Sequence, residues 1–357
     1  MSKKIKRVVL FFLVITLLIA MAIIIKEQRY KKNIEAVDKK DKNMQAFTVE
    51  RGETGKIIAM KLKEDGLIRD EKAFVRYVKK NEKGLNAGHY NLSKSMNVKR
   101  IVKILSGGSN NLISFRIKEG ENMSSLIKRL ATFTNKTSKE MDAYLRSDEL
   151  LDELIKEYDF LDNSIKDKKI YYPLEGYLMP DTYSLERDSI SIKTIIKLSL
   201  DQMKKNLEGI KNPKDTLILA SMIELEAVTP EDRKMVSSVF HNRLKKGKPL
   251  GSDVTSYYGA RVSLSARDLN KSELEASNPY NTRGARAVKG LPIGPICFPS
   301  KVSIDAAANP AESNYLFFVA DKNGKVYYNT TNAEHVKTVN NLKARNEWYR
   351  YGRWYLK

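Results

Sequence analysis

Val8 to Ile25 is an uncharged run of eighteen residues, VVLFFLVITLLIAMAIII. As a helix rising roughly 1.5 Å per residue it reaches about 27 Å, close to the ~30 Å hydrocarbon core of a bilayer. A buried soluble helix has the same composition, but this run stands at the N-terminus behind Lys3, Lys4, Lys6 and Arg7. A cleaved signal peptide has a shorter apolar region and a small-residue cleavage site. Here the run passes straight into Lys26 and the basic residues after it. The sequence therefore predicts a cytoplasmic tail over 1–7, an uncleaved single-pass transmembrane helix over 8–25, and export of everything beyond. Basic residues flank both ends, so charge counting leaves the orientation near a tie. Residues 26–46 are polar and charged, and a solvated linker is expected there.

The remaining chain is long enough for two or three domains. A single cysteine, Cys297, rules out an intramolecular disulfide framework and a Cys-rich zinc site. His89, His241 and His335 are far apart, which disfavours a multi-histidine metal centre. No glycine-rich phosphate cradle occurs. The 64 Lys+Arg against 43 Asp+Glu give a net charge of +21. That charge would suit nucleic acid, but no recognisable nucleic-acid module accompanies it, and no nucleic-acid partner is expected.

A repeat lies in the first half. Phe47-Thr-Val-Glu-Arg-Gly-Glu-Thr54 parallels Phe115-Arg-Ile-Lys-Glu-Gly-Glu-Asn122. Each copy reads as a strand, a Gly-Glu turn, a Thr or Asn N-cap and a helix. The first copy continues through a helix over 71–79, a strand over 88–92 and a helix over 96–105. Residues 47–110 thus form a compact α+β module, and 111–170 a second repeat-related α+β region. The module resembles the LysM-like modules that bind N-acetyl sugar chains. Whether it binds glycan or is a spacer stays open at this point. His89 reads as a packing or surface residue.

The chemistry is expected in 171–357. The stretch from Tyr172 to Tyr183 reads as a loop that concentrates aromatics, Gly, Pro and two carboxylates, Glu175 and Asp181. Rings stack on sugar faces and carboxylates take hydroxyl hydrogen bonds. A helix after Pro213 is apolar nearly all round from 217 to 223, so it should be buried. Glu224 follows that run between Ile223 and Leu225. Desolvation would favour its protonated form, which a general acid needs, and Ser221 one turn earlier could bond it. Glu226 lies about 200° around the helix, so the two carboxylates should not form a close dyad. From local pattern alone, a surface carboxylate is the commoner outcome for Glu224. Thr229-Pro230 opens another helix. Asp253 and then Tyr280, Asn281 and Thr282 sit in turn-rich stretches with the ingredients of a saccharide groove. The aromatic and basic tail from 346 should dock on the domain.

Taken in order, LEGYLMPDTYSL (174–185), LASMIELEA (219–227), VFHNRLKKGKPLGSDVTSYYGA (239–260), SNPYNT with GLPIGPI (277–296) and AANPAESNYLFFVADKNG (307–324) resemble the YceG-like endolytic murein transglycosylases. Leu225, Val254, Arg283 and Ile293 depart from that family's usual residues. The resemblance implies a membrane-anchored α+β lytic transglycosylase with Glu224 as its essential acid. Asp253, Tyr280, Asn281 and Thr282 would hold the sugar, with Glu175, Asp181 and Tyr183 lining or bracing the groove. It implies cleavage of the bond between N-acetylmuramic acid and N-acetylglucosamine in nascent peptidoglycan glycan strands, forming 1,6-anhydro ends and limiting strand length. Expected partners are those strands, the membrane, and peptidoglycan synthases with divisome or elongasome proteins. No metal or organic cofactor is called for. The other class is a non-catalytic, membrane-anchored peptidoglycan-binding scaffold in which Glu224 is structural.

Overall fold

The computed structural model describes residues 20–41, 43–81, 83–107, 112–186 and 191–348. Most of the expected anchor and the tail from 349 lie outside the described residues. Among the described residues no helix is long and apolar enough to cross a membrane. The fold is mixed α+β, with a four-stranded and a two-stranded sheet, and divides into two compact units.

The first unit takes in the described residues up to Phe115 together with those of 182–190. Residues 20–33 are helical (α1), and Met21, Ile23, Ile24 and Ile25 on it are exposed. The chain that follows is not the solvated linker expected. Ile34 packs on the core. The Arg69 guanidinium donates to the carbonyls of Ala36 and Val37, and the Val98 N–H donates to that of Ile34 at 2.9 Å. The order is then β1 (Met44–Val49), α2 (Gly55–Glu64), α3 (Glu71–Lys80), β2 (Gly88–Ser93) and α4 (Val98–Leu105). Alternation on β1 buries Phe47 and Val49, which meet Ile58 and Leu62 of α2, Phe74 of α3 and Ile101 of α4 in one core. Thr54, Asp70 and Asn97 cap the three helices with side chains that accept backbone N–H groups. The Asn97 cap starts α4 two residues later than the apolar pattern suggested.

β1 and β2 pair antiparallel, and β4 (Asp181–Glu186) runs parallel to β2 with Tyr183 opposite His89. β3 (Leu112–Ile117) is the far strand, in the order β1-β2-β4-β3. Tyr183 was expected in a loop. It is instead fully buried in this sheet, its ring 5.4 Å from that of His89.

The second unit takes in 116–181 and the described residues from 191. α5 (Met123–Phe133) is capped by Asn122, so strand, turn and helix do occur twice. α6 (Ser138–Leu145), α7 (Asp148–Glu157) and α8 (Ile192–Asn206) follow. α9 (Pro213–Glu226) buries Thr216 to Ile223 and packs against α10 (Pro230–Lys245) and α13 (Lys301–Ala308). Between these lie α11 (Asp253–Gly259) and the single turn α12 (Lys271–Leu274). β5 (Phe317–Ala320) and β6 (Val326–Asn329) form an antiparallel hairpin, and α14 (Asn332–Ala344) opens with a Thr331–Glu334 capping box.

Gly176 sits in the turn before β4 with φ +76°, and a Cβ there would lie 2.2 Å from that of Pro295. Gly176→Ala is expected to cost about 2–4 kcal/mol, from left-handed strain plus overpacking. A urea midpoint measures it.

Candidate active site

α9 ends on two carboxylates that leave on opposite sides. Glu224 has a side chain only 6% exposed. Its Oε1 accepts from Arg233 of α10 at 3.0 Å, and its Oε2 accepts from the Ser300 N–H at 2.9 Å and hydroxyl at 2.5 Å. Arg233 also donates to the Ser300 hydroxyl at 2.6 Å and the Ala227 carbonyl at 3.1 Å. Ser300 in turn caps α13. Glu224 therefore ties three helices together. This differs from the lone, desolvated acid that its apolar neighbours suggested, because a cation seven residues beyond the helix end folds back to compensate it. Ser221 does not reach Glu224. Its hydroxyl donates to the Ile218 carbonyl and accepts the Ile296 N–H.

Glu226 faces a cleft of about 700 Å³, whose wall includes Asp253, Arg283, Arg243, Phe317 and His335 but not Glu224. Burial pushes the Glu226 carboxyl up to about 7, against the opposing pull of a Ser252 hydrogen bond and the Arg283 charge. The Ser252 hydroxyl donates to its Oε1 at 2.6 Å. Asp253 is ion-paired with Arg283 beside it. Across the cleft, His335 stacks on Phe317 with ring centroids 5.4 Å apart, and the Arg243 guanidinium lies 5.3 Å from the Phe317 ring. The cleft thus presents the Glu226 carboxyl, four flanking charges (Asp253, Arg283, Arg243 and Lys343) and the rings of Phe317, Phe318, His335 and Trp348.

Asn281 and Thr282 do not offer polar groups to a ligand. Both are fully buried. Asn281 accepts the Ser256 hydroxyl and donates to the carbonyls of Leu274 and Ala276. Thr282 borders the cleft, with its hydroxyl on the Ser252 N–H at 3.1 Å and on the Thr255 hydroxyl at 2.8 Å. The two residues fix the loop that delivers Arg283 and holds Ser252 against Glu226. Tyr280 is also fully buried, with its ring 4.7 Å from Tyr171 and 4.8 Å from Tyr258, and its hydroxyl accepts the Tyr171 N–H.

Glu175 is 1% exposed and does not border this cleft. It accepts the Met123 N–H at the start of α5 and the Tyr258 hydroxyl at 2.8 Å. Asp181 opens β4, half-buried, and Tyr183 belongs to the other unit's sheet; neither borders the cleft. Of the residues singled out in the sequence, Asp253 alone offers an exposed polar group to the cleft. Glu226, not singled out in the sequence, borders the cleft, and the roughly 200° that separates it from Glu224 on α9 gives the two carboxylates different surfaces.

Two raised carboxyls give a pH prediction. Burial pushes Glu175 up to about 8 and Glu226 to about 7, from an ordinary 4.5. Between those values the folded chain holds protons that the unfolded chain has released. Their contribution is complete below about pH 4.5 and is lost as pH rises to about 8. The urea midpoint is expected to fall across that window, and Glu175→Gln to flatten the fall.

The sequence profile of the YceG-like family matches residues 47–341. The chain belongs to the YceG-like family. It is 35% identical over 329 residues to an endolytic murein transglycosylase of Bacillus subtilis, spanning 89% of this chain and 90% of that protein. It is 31% identical to an endolytic murein transglycosylase of Streptococcus pneumoniae, over 94% of this chain and 65% of that protein. A crystal structure of a yceG-like protein from Listeria monocytogenes superposes with a TM-score of 0.58 at 31% identity, covering 83% of this chain and 99% of that one.

Proposed function

We propose that this chain is a membrane-anchored lytic transglycosylase that cuts inside peptidoglycan glycan strands, with Glu226 as its acid. The reaction class follows from the family and its named relatives. One observation carries the assignment of the acid: Glu226 is a carboxyl on the cleft wall, held by the Ser252 hydroxyl, and burial pushes it up to about 7. The sequence resemblance alone had put Glu224 in that role. Its pairing with Arg233 and its absence from the cleft wall favour Glu226.

In this reading Glu226 donates its proton to the oxygen that joins N-acetylmuramic acid to N-acetylglucosamine, as the bond from that oxygen to the muramic C1 breaks. The carboxylate left behind takes the proton of the muramic 6-hydroxyl. That oxygen closes on C1, giving a 1,6-anhydro ring and restoring the acid. The sugar supplies its own nucleophile, so a second carboxylate at hydrolase spacing is not required. Arg283 and Arg243 suit the carboxylates that the muramic lactyl group and its peptide carry. Limiting strand length beside wall synthases is the cellular role that fits this cut. Residues 8–25 would anchor the chain with its N-terminus inside, and the β1-α2-α3-β2 order supports the LysM-like reading of the module after it.

The test is product analysis. Purified full-length chain in detergent is incubated with uncrosslinked glycan, and anhydro-muramic ends are weighed. Wild type is expected to make them and Glu226→Gln to make almost none. Equal yields from the two would end the assignment. No product from wild type would favour the scaffold.

A further inference from the structure

The first unit carries a groove of about 720 Å³ between α2 and α3, none of whose lining residues borders the cleft of Glu226. Lys72, Val75, Arg76 and Lys79 line it from α3, a spacing that puts all four on one stripe. Lys56 and Ala59 line it from α2, and Lys80 completes the rim. Glu71 is the one acid in the lining. Ala59 and Val75 give the groove an apolar floor, and Ile57 and Met60 are exposed on α2 at 41% and 45%. The surface is thus cationic at its edges and apolar beneath.

Its position relative to Ile25, where the apolar run ends, is fixed. Arg76 donates to Glu27 at 2.9 Å, and its guanidinium lies 4.0 Å over the Tyr30 ring. Glu27 is two residues beyond Ile25, a rise of about 3 Å along α1. The headgroup layer is roughly 5–8 Å deep on each side of the hydrocarbon core. If the run up to Ile25 ends at the hydrocarbon boundary, Arg76 stands inside that layer. Ile34 and Ala36 are held to the same unit, so no slack tether lifts the groove away.

We propose that this α2–α3 face seats anionic phospholipid headgroups, clamping the first unit flat on the membrane. The inference rests on the anchor reading of residues 8–25 for its geometry. Charge selects the anion: four lysines face outward against Glu71, while Arg76 and Glu27 offset each other in their ion pair. The apolar floor suits the glycerol and upper acyl region. A sugar chain is the poorer fit, because no lining residue of this groove supplies an aromatic face.

The experiment uses full-length chain reconstituted in vesicles of phosphatidylcholine alone or with phosphatidylglycerol. Flotation reports insertion, and amine acylation read by mass spectrometry reports exposure of Lys56, Lys72, Lys79 and Lys80. Lys301, exposed in the second unit, is the reference. Labelling of the four is expected to fall at least about threefold with anionic lipid and to recover in high salt, while Lys301 is unchanged. Flotation with both vesicles but equal labelling overturns the clamp and leaves the anchor standing. Flotation and protection only with anionic vesicles sustains the clamp and removes the anchor. Flotation with neither removes both. Protection by soluble glycan in neutral vesicles, and none by anionic lipid, overturns the clamp in favour of a sugar site.

Discussion

Glu226→Gln is expected to lower the release of anhydro-muramic ends by about a thousandfold at neutral pH, within the ~10²–10⁴ that positioned acid–base groups supply. The amide matches the carboxyl in size and its oxygen can still accept the Ser252 hydroxyl. Folding should therefore survive, and above about pH 7 the variant should be no less stable than wild type, since it buries no charge. The pH profile is the sharper reading. Wild type is expected to lose rate above about pH 7, tenfold per unit, as the proton to be donated is lost. The residual rate of the variant should lack that limb. A variant that keeps both the rate and the limb would move the acid elsewhere.

Glu224→Gln should do the reverse, sparing chemistry and costing stability. It leaves the Arg233 guanidinium, 12% exposed, without its counter-charge. Breaking a buried pair from one side typically costs about 3–5 kcal/mol. The amide keeps one acceptor, so about 2–4 kcal/mol is expected here. For a unit of this size that lowers Tm by roughly 5–15 °C. Turnover per folded molecule, measured well below the transition, should stay within about threefold, under the range expected for loss of a catalytic acid. Replacing the pair together, Glu224→Leu with Arg233→Leu, should recover part of the loss, because the orphaned charge is gone. If Glu224→Gln instead abolishes turnover with Tm unchanged, Glu224 is the acid after all.

Much of the frame could be read from the chain. Thr54, Asn122 and Thr229 all cap helices as their position before an apolar stripe suggested. The β5–β6 hairpin follows from a turn sequence between two aromatic runs. These are local signals, in which neighbours along the chain settle the geometry. The site was harder to read because its deciding contacts are distant. Glu224 and Glu226 have nearly the same neighbours, and what separates them is Arg233 on one side and Ser252 with Arg283 on the other. Asn281 and Thr282 have the chemistry of sugar ligands, yet that chemistry is used inward, on Ser252, Thr255 and Ser256. Tyr183 read as a loop residue because its strand exists only through pairing with β2, some ninety residues earlier.

That last pairing has a consequence for how the molecule can be made or dissected. β2 finds its second neighbour in β4, so a nascent chain presents a bare sheet edge until residue 186 has left the ribosome. Fragments that stop after α4, at about residue 110, should inherit that edge permanently and tend to self-associate. Supplying 181–186 as a separate peptide should cap it.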